Sequence, residues 1–158
     1  MMKRWLIVLG VLLVAGVTWA AVTATPVFVQ KPKMPKVQIT NANGTTAQTL
    51  YACGADGTKV TGLFATSTDT VARDVQITVV NGATTYVLTT VTTAINAGNV
   101  AGTAPVNLLS TTNFPGLPVD SDGNPYFYCE STDTLKVGVL VTVTSGKFVN
   151  VTAVAADF

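Results

Sequence analysis

The sequence predicts an all-β fold, an antiparallel β-sandwich of about eight strands with an apolar helix in front of it, and three observations carry that expectation. In the stretch Thr70 to Val91, Val75, Ile77 and Val79 alternate with Asp74, Gln76 and Thr78, the period of a strand with one buried face. Asn81-Gly82 then supplies reversal chemistry, and a second β-rich run, Thr84-Thr-Tyr-Val-Leu-Thr-Thr-Val91, completes a hairpin. Second, charged residues make up only 11% of the chain, and threonine and valine, stiff at χ1 and suited to pleated backbone, take their place. Third, short β-type runs recur between turn residues with no helical period beyond the N-terminus. That is the pattern of a sandwich, the jelly roll being one of its forms.

The elements follow in order. Lys3-Arg4 precede an apolar run from Trp5 to about Ala24 that no charge interrupts. A basic start, an apolar middle and small residues at Val22-Thr23-Ala24 describe a cleaved signal peptide. A run of roughly 20 apolar residues is also long enough for a retained membrane anchor, and both readings stand for residues 1–24. Residues 25–36 form an extended linker arm: Pro26, Pro32 and Pro35 exclude a helix. Its Lys31, Lys33 and Lys36 either solubilise a tether, meet anionic lipid or an acidic partner, or belong to an arm that reaches a neighbouring subunit.

Residues 37–158 are the sandwich domain. Val37 to Thr40 is a strand ending in a turn at Asn41 to Gly44, and Thr46 to Ala52 is a second, closed by Gly54-Ala-Asp-Gly57. Lys59 to Thr66 is a third, with Val60, Gly62 and Phe64 expected on one face and Leu63 and Ala65 on the other. After the central hairpin, whose second arm extends toward Ile95, Val106-Asn-Leu-Leu109 reads as a helical turn or a buried loop. Asp120 to Pro125 is a strong turn and Tyr126 to Cys129 a short aromatic strand. Leu135 to Val143, with Thr144-Ser-Gly-Lys147 as turn and Phe148 to Ala155 as return arm, is expected as a last hairpin. The tetrapeptide Ser-Thr-Asp-Thr occurs twice, at Ser67 and at Ser131. Two equivalent hairpins in facing sheets would explain it, and so would local capping of turns by these side chains, the reading favoured here.

Charge narrows the function. The formal balance is +1, yet Lys3, Arg4, Lys31, Lys33 and Lys36 all precede Val37 and no acid does. From Val37 onward four bases face eight acids, so the body lacks the basic footprint that nucleic acid requires. The chain has no histidine, which removes most Ser-His-Asp, Cys-His and zinc arrangements. A carboxylate pair of the glycosidase kind stays open in principle, but no pair is singled out. No catalytic residue, cofactor site or metal site is assigned.

Cys53 and Cys129 are the only cysteines. An even count in an exported chain fits a disulfide, and two buried free thiols fit a chain that meets no oxidant. A bridge would stabilise the fold by roughly 4–5 kcal/mol on the chain-entropy account. Asp120, Asp122 and Asn124 are spaced like calcium-loop ligands, but Pro125 stands where such a loop needs glycine, and a tight Asp-Gly turn is the simpler reading. Phe114, Tyr126, Phe127 and Tyr128 are candidates for a contact surface, although alternation assigns half of them to the core.

From Thr25 onward the chain resembles small virion structural proteins of tailed bacteriophages. The residues that carry the resemblance are Thr25-Pro-Val-Phe-Val-Gln30, Gly54-Ala-Asp-Gly-Thr-Lys-Val60 and Ala65-Thr-Ser-Thr-Asp-Thr70, then Thr85-Tyr-Val-Leu88 and Pro105-Val-Asn-Leu-Leu109. Leu117-Pro-Val-Asp-Ser-Asp-Gly-Asn-Pro-Tyr126, Asp133-Thr-Leu135 and the terminal Ala155-Ala-Asp-Phe158 complete it. These are turn and core signatures rather than catalytic motifs. The resemblance implies a non-enzymatic particle component, a capsid decoration or cement protein, whose partners are other virion proteins or copies of itself. The apolar N-terminus departs from the pattern and points to an inner-membrane detour or a virion lipid layer met through residues 1–24, or to a mis-set start site. The rival expectation is an exported or membrane-tethered adhesion module that touches sugar or protein through its aromatic region.

Overall fold

The computed structural model describes residues 31–158, so the apolar segment 1–24, read above as leader or anchor, and residues 25–30 of the arm lie outside the described residues. The described chain is all-β. Its strands are β1 (Lys31–Lys33), β2 (Lys36–Thr40), β3 (Gln48–Ala52), β4 (Thr58–Ser67), β5 (Arg73–Asn81), β6 (Thr84–Thr93), β7 (Val106–Asn107), β8 (Phe127–Cys129), β9 (Asp133–Val139) and β10 (Phe148–Asp157). One 3-10 turn, Asn41–Asn43, follows β2.

All pairings between these strands are antiparallel, in two sheets. In the first, β10 and β4 are central; β1 and β2 share the outer flank of β10, and β7 and β8 share the outer flank of β4. The second runs β3–β9–β5–β6. Alternation sends Leu63, Ala65, Val149, Val151 and Ala153 of the first sheet into one core with Val75, Ile77, Leu135, Val137 and Val139 of the second, none more than 2% exposed. Each such Val or Leu contributes about 1.5–3 kcal/mol relative to exposure.

The arm is extended, as its prolines require, but it does not stand apart from the body. Lys31 lies opposite Asp157, Pro32 opposite Ala156 and Lys33 opposite Ala155, so Lys31–Lys33 belong to the first sheet together with the residues from Val37 onward. Pro32 is tolerated because an outermost strand has a side with no ladder bond to lose. Val106 to Leu109 is the buried-loop alternative: after the two residues of β7, the N–H groups of Leu108 and Leu109 both donate to the Leu63 carbonyl, at 2.8 and 3.2 Å.

Three expectations need correction. Val60 does not oppose Leu63 and Ala65 but is buried with them. Against β10, Val60 pairs with Ala155 and Gly62 with Val154, so Thr61 is an extra residue, and one extra residue swaps the faces on either side of it. The expected last hairpin is not one. β9 stops at Val139, Val141 is 63% exposed, and Val143 returns to the core as the chain crosses to the other sheet, where β10 pairs with β2 and β4. Thr144 to Lys147 is a turn, but one that joins two layers. In the central hairpin the reversal is Gly82-Ala83: Gly82 takes the left-handed φ of +57°, while Asn81 remains the last residue of β5.

Candidate contact surface at the open end

Strand β4 defines two ends of the paired sheets, and different chemistry holds each. At the Ser67 end, Asp69 lies on the β4–β5 crossing, wholly buried. Arg73 Nε donates to its Oδ2 at 2.7 Å, and Arg73 Nη2 donates to Thr144 Oγ1 at 2.9 Å. Thr144, on the β9–β10 crossing, returns two bonds to Asp69, from its N–H at 3.0 Å and from its hydroxyl at 2.7 Å. Burial alone would raise the Asp69 carboxyl. The guanidinium, the Thr144 donors and the Val71 N–H outweigh it and hold the group well below the usual carboxylate range. The network ties the β4–β5 and β9–β10 crossings together, and its polar groups satisfy one another.

At the Thr58 end, Cys53 and Cys129 are joined in a disulfide, with Cα atoms 6.1 Å apart. It links the residue after β3 to the last residue of β8, one from each sheet. Beside it, Asp157 of β10 accepts from Tyr51 Oη at 2.8 Å and from Thr58 Oγ1 at 2.7 Å, with Lys33 Nζ 3.8 Å away. Burial and the neighbouring carboxylate push the Tyr51 phenol up to about 12. The Asp157 carboxyl, which burial would raise, is lowered by the Thr58 and Tyr51 hydrogen bonds and by Lys33 and Lys31. Gly54 is required here, since a Cβ would come within 2.8 Å of the Asp157 side chain.

The same end carries an open groove of about 550 Å³. Val79, Tyr86 and Leu88 of the β5–β6 hairpin form one wall, and Phe114, Leu117 and Phe127 form the other. Against β5, Val87 pairs with Thr78 and Thr89 with Ile77, so Leu88 is an extra residue in β6. The bulge keeps both Tyr86 and Val91 on the inward side. Val91 is buried in the core, but Tyr86 faces the open mouth and is 55% exposed. The Thr89 hydroxyl closes the groove at its inner end by donating to the Asn113 carbonyl at 2.9 Å.

The outer edge of β6 pairs with no strand among the described residues. Tyr86, Val87 and Leu88 are exposed along it, and the sequence has no charged residue from Val75 to Val119. Lysines and prolines ordinarily guard such an edge. Lys31, Pro32, Lys33, Pro35 and Lys36 supply that guard on the opposite edge of the first sheet.

Of the four aromatic candidates, Phe114, Phe127 and Tyr128 line the groove and Tyr126 does not. Phe114 and Phe127 are buried in its wall and stack with ring centroids 6.5 Å apart. Tyr126 and Tyr128 meet edge to face on the outer side, at 5.4 Å; Phe158 is 5.7 Å from Tyr128, and Lys59 Nζ lies 4.0 Å above Tyr126. Lys31, Lys33 and Lys36 are exposed on the guarded edge. In the Asp120 turn the carboxylate accepts from the N–H groups of Asp122 and Asn124, at 3.0 and 2.8 Å, as a tight turn requires. Among the described residues no group of three or more His, Cys, Asp or Glu could hold a metal ion, and no helix is long and apolar enough to cross a membrane.

Sequence reasoning missed Val79, Tyr86, Leu88 and Leu117 as groove residues, and missed the Asp69–Arg73 pair. A signal for the first set was present, namely a β-rich strand, with Tyr86, Val87 and Leu88 in succession, that lacks a single gatekeeper charge. For the pair, the four-residue spacing alone says nothing once the backbone is extended. Searches for a matching family model, curated protein or solved structure found none.

Proposed function

We propose that this chain is a non-enzymatic structural protein that acts through subunit contacts in a phage particle, as a capsid decoration or cement protein or another minor component. One observation carries the proposal: a largely apolar groove opens beside an unguarded strand edge, and of the two carboxylates that line it, Glu130 and Asp133, the second is engaged in holding the chain. Asp133 accepts from Asn81 Nδ2 at 2.8 Å and from the Glu130 N–H at 3.0 Å. The strand orders β2–β10–β4–β8 and β3–β9–β5–β6 support a β-sandwich of the jelly-roll kind, an architecture that includes capsid domains. That support is an analogy of fold, and the groove supplies the argument for contact. The apolar N-terminal segment, read as a helix, would act as leader or anchor and bring the chain to a membrane. Partners are other virion proteins or copies of this chain, and not nucleic acid. Mass spectrometry of purified particles tests the reading: the chain is expected at a fixed ratio to the main shell protein, and its absence from particles would refute the proposal.

A second reading, an exported or tethered adhesion module, is favoured by the outward Tyr126–Tyr128–Phe158 cluster with Lys59 above it. Exposed aromatic rings offer a stacking platform to a sugar. Glycan-array binding that Tyr128→Ala abolishes would support this reading over the first.

A further inference from the structure

We infer that the partner at the open end is a second copy of this chain, its β6 laid antiparallel beside the first around a two-fold axis at Tyr86. This rests on the contact role proposed above and names the partner. The outer edge of β6 is the place where another strand can extend the second sheet with least opposition. On the far side of that sheet β3 is a five-residue strand, and the β1–β2 edge of the first sheet carries lysines and prolines.

Charge permits self-pairing at this strand. The sequence has no charged residue from Val75 to Val119, so two-fold pairing at β6 brings together only uncharged residues and no like charges meet.

The register follows from the hairpin. Asn81 and Thr84 flank the two-residue reversal and bond to each other, so alternation turns the N–H and C=O of Thr85 and Val87 away from β5. Facing residues of an antiparallel pair also share one side of the sheet, which pairs odd residues with odd and even with even. Within the regular run Thr84–Val87, before the bulge at Leu88, one arrangement uses both outward residues. Thr85 bonds Val87 of the second copy, Val87 bonds its Thr85, and the two Tyr86 rings lie side by side across the axis. The rings and the two Leu88 side chains would then bridge the mouths of both grooves.

Cross-linking of the full-length chain, kept in detergent micelles, tests the register. Tyr86→Cys is expected to give a covalent dimer on oxidation, since facing Cα atoms of a non-hydrogen-bonded pair lie about 4.5 Å apart, within disulfide reach. A mixture of Thr85→Cys and Val87→Cys chains, which keeps Tyr86, is expected to cross-link more than either variant alone. Val154→Cys, exposed on the outer face of the first sheet, should not cross-link. Val87→Lys, at a position 58% exposed, should fold normally by circular dichroism yet halve the sedimenting mass. A monomeric native chain, a dimer indifferent to Val87→Lys, or equal cross-linking through Val154→Cys would overturn the inference. A monomer that still copurifies with particles would overturn it and leave the particle role standing. A dimer absent from particles would do the reverse.

Discussion

The two ends of the body solve the same problem in opposite ways. Both must hold two sheets together where the chain crosses between them. At the Ser67 end a buried carboxylate, a guanidinium and a threonine hydroxyl satisfy one another. At the Thr58 end a disulfide and the Tyr51–Asp157–Thr58 cluster pin the sheets, and beside them the core is left open. The difference teaches where contact can occur. A polar network that satisfies itself has nothing left for a partner. A covalent pin fixes the layers without covering the apolar groove next to it.

The largest effect is expected at the closed end. Asp69→Ala leaves Arg73 buried without its partner and should cost about 3–5 kcal/mol in denaturant unfolding. Next comes the pin: replacing both Cys53 and Cys129 by alanine, with a sequence separation of 76, should cost about 2–4 kcal/mol, below the chain-entropy figure because the unfolded chain without the bridge retains structure. A loss larger than that of Asp69→Ala would reverse the order of the two ends. Smaller still, Tyr51→Phe removes one donor to Asp157 and should cost about 1 kcal/mol.

pH sharpens the contrast. The Asp69 and Asp157 carboxyls are both held below their ordinary range. The stability they contribute is therefore complete above about pH 4 and is lost as pH falls below that, at both ends. The Tyr51 phenol is raised from 10.0 to about 12. Its contribution is complete below pH 10 and is lost as pH climbs toward 12, and this affects the disulfide end alone. Melting curves should therefore show that Tyr51→Phe removes part of the alkaline loss and leaves the acid loss nearly as it was. Unchanged alkaline loss in that variant would assign the titration to another group.

Much of the fold was legible because alternation is local. Val75, Ile77 and Val79, and likewise Leu135, Val137 and Val139, announce their buried face within a few residues. The misreadings arise where one residue or one distance breaks the local rule. Thr61 and Leu88 are extra residues that swap faces, and no side-chain type marks a bulge in advance. The Leu135–Ala155 stretch reads as a hairpin because turn residues at Thr144 to Lys147 look the same whether the next strand returns to its own sheet or crosses to another. The repeated Ser-Thr-Asp-Thr shows both sides of this. Each copy lies on a crossing into the second sheet, before β5 and before β9, which are neighbours in one sheet rather than equivalents in two. Each aspartate caps locally, Asp133 at the Glu130 N–H and Asp69 at the Val71 N–H, and each also binds far along the chain, Asp133 to Asn81 and Asp69 to Thr144. The groove was hidden for the same reason: its walls meet only after the hairpin and the Asn113–Leu117 loop are folded together.

Hydrogen exchange along the free and the assembled chain tests most directly whether the open end is the contact surface. The Thr85 and Val87 amides, which point away from β5, should exchange quickly in the free chain and slow by at least about tenfold on assembly, while Lys31 and Lys33 on the guarded edge stay unchanged. Protection that appears on the β1–β2 edge instead, with Thr85 and Val87 still exchanging freely, would contradict it.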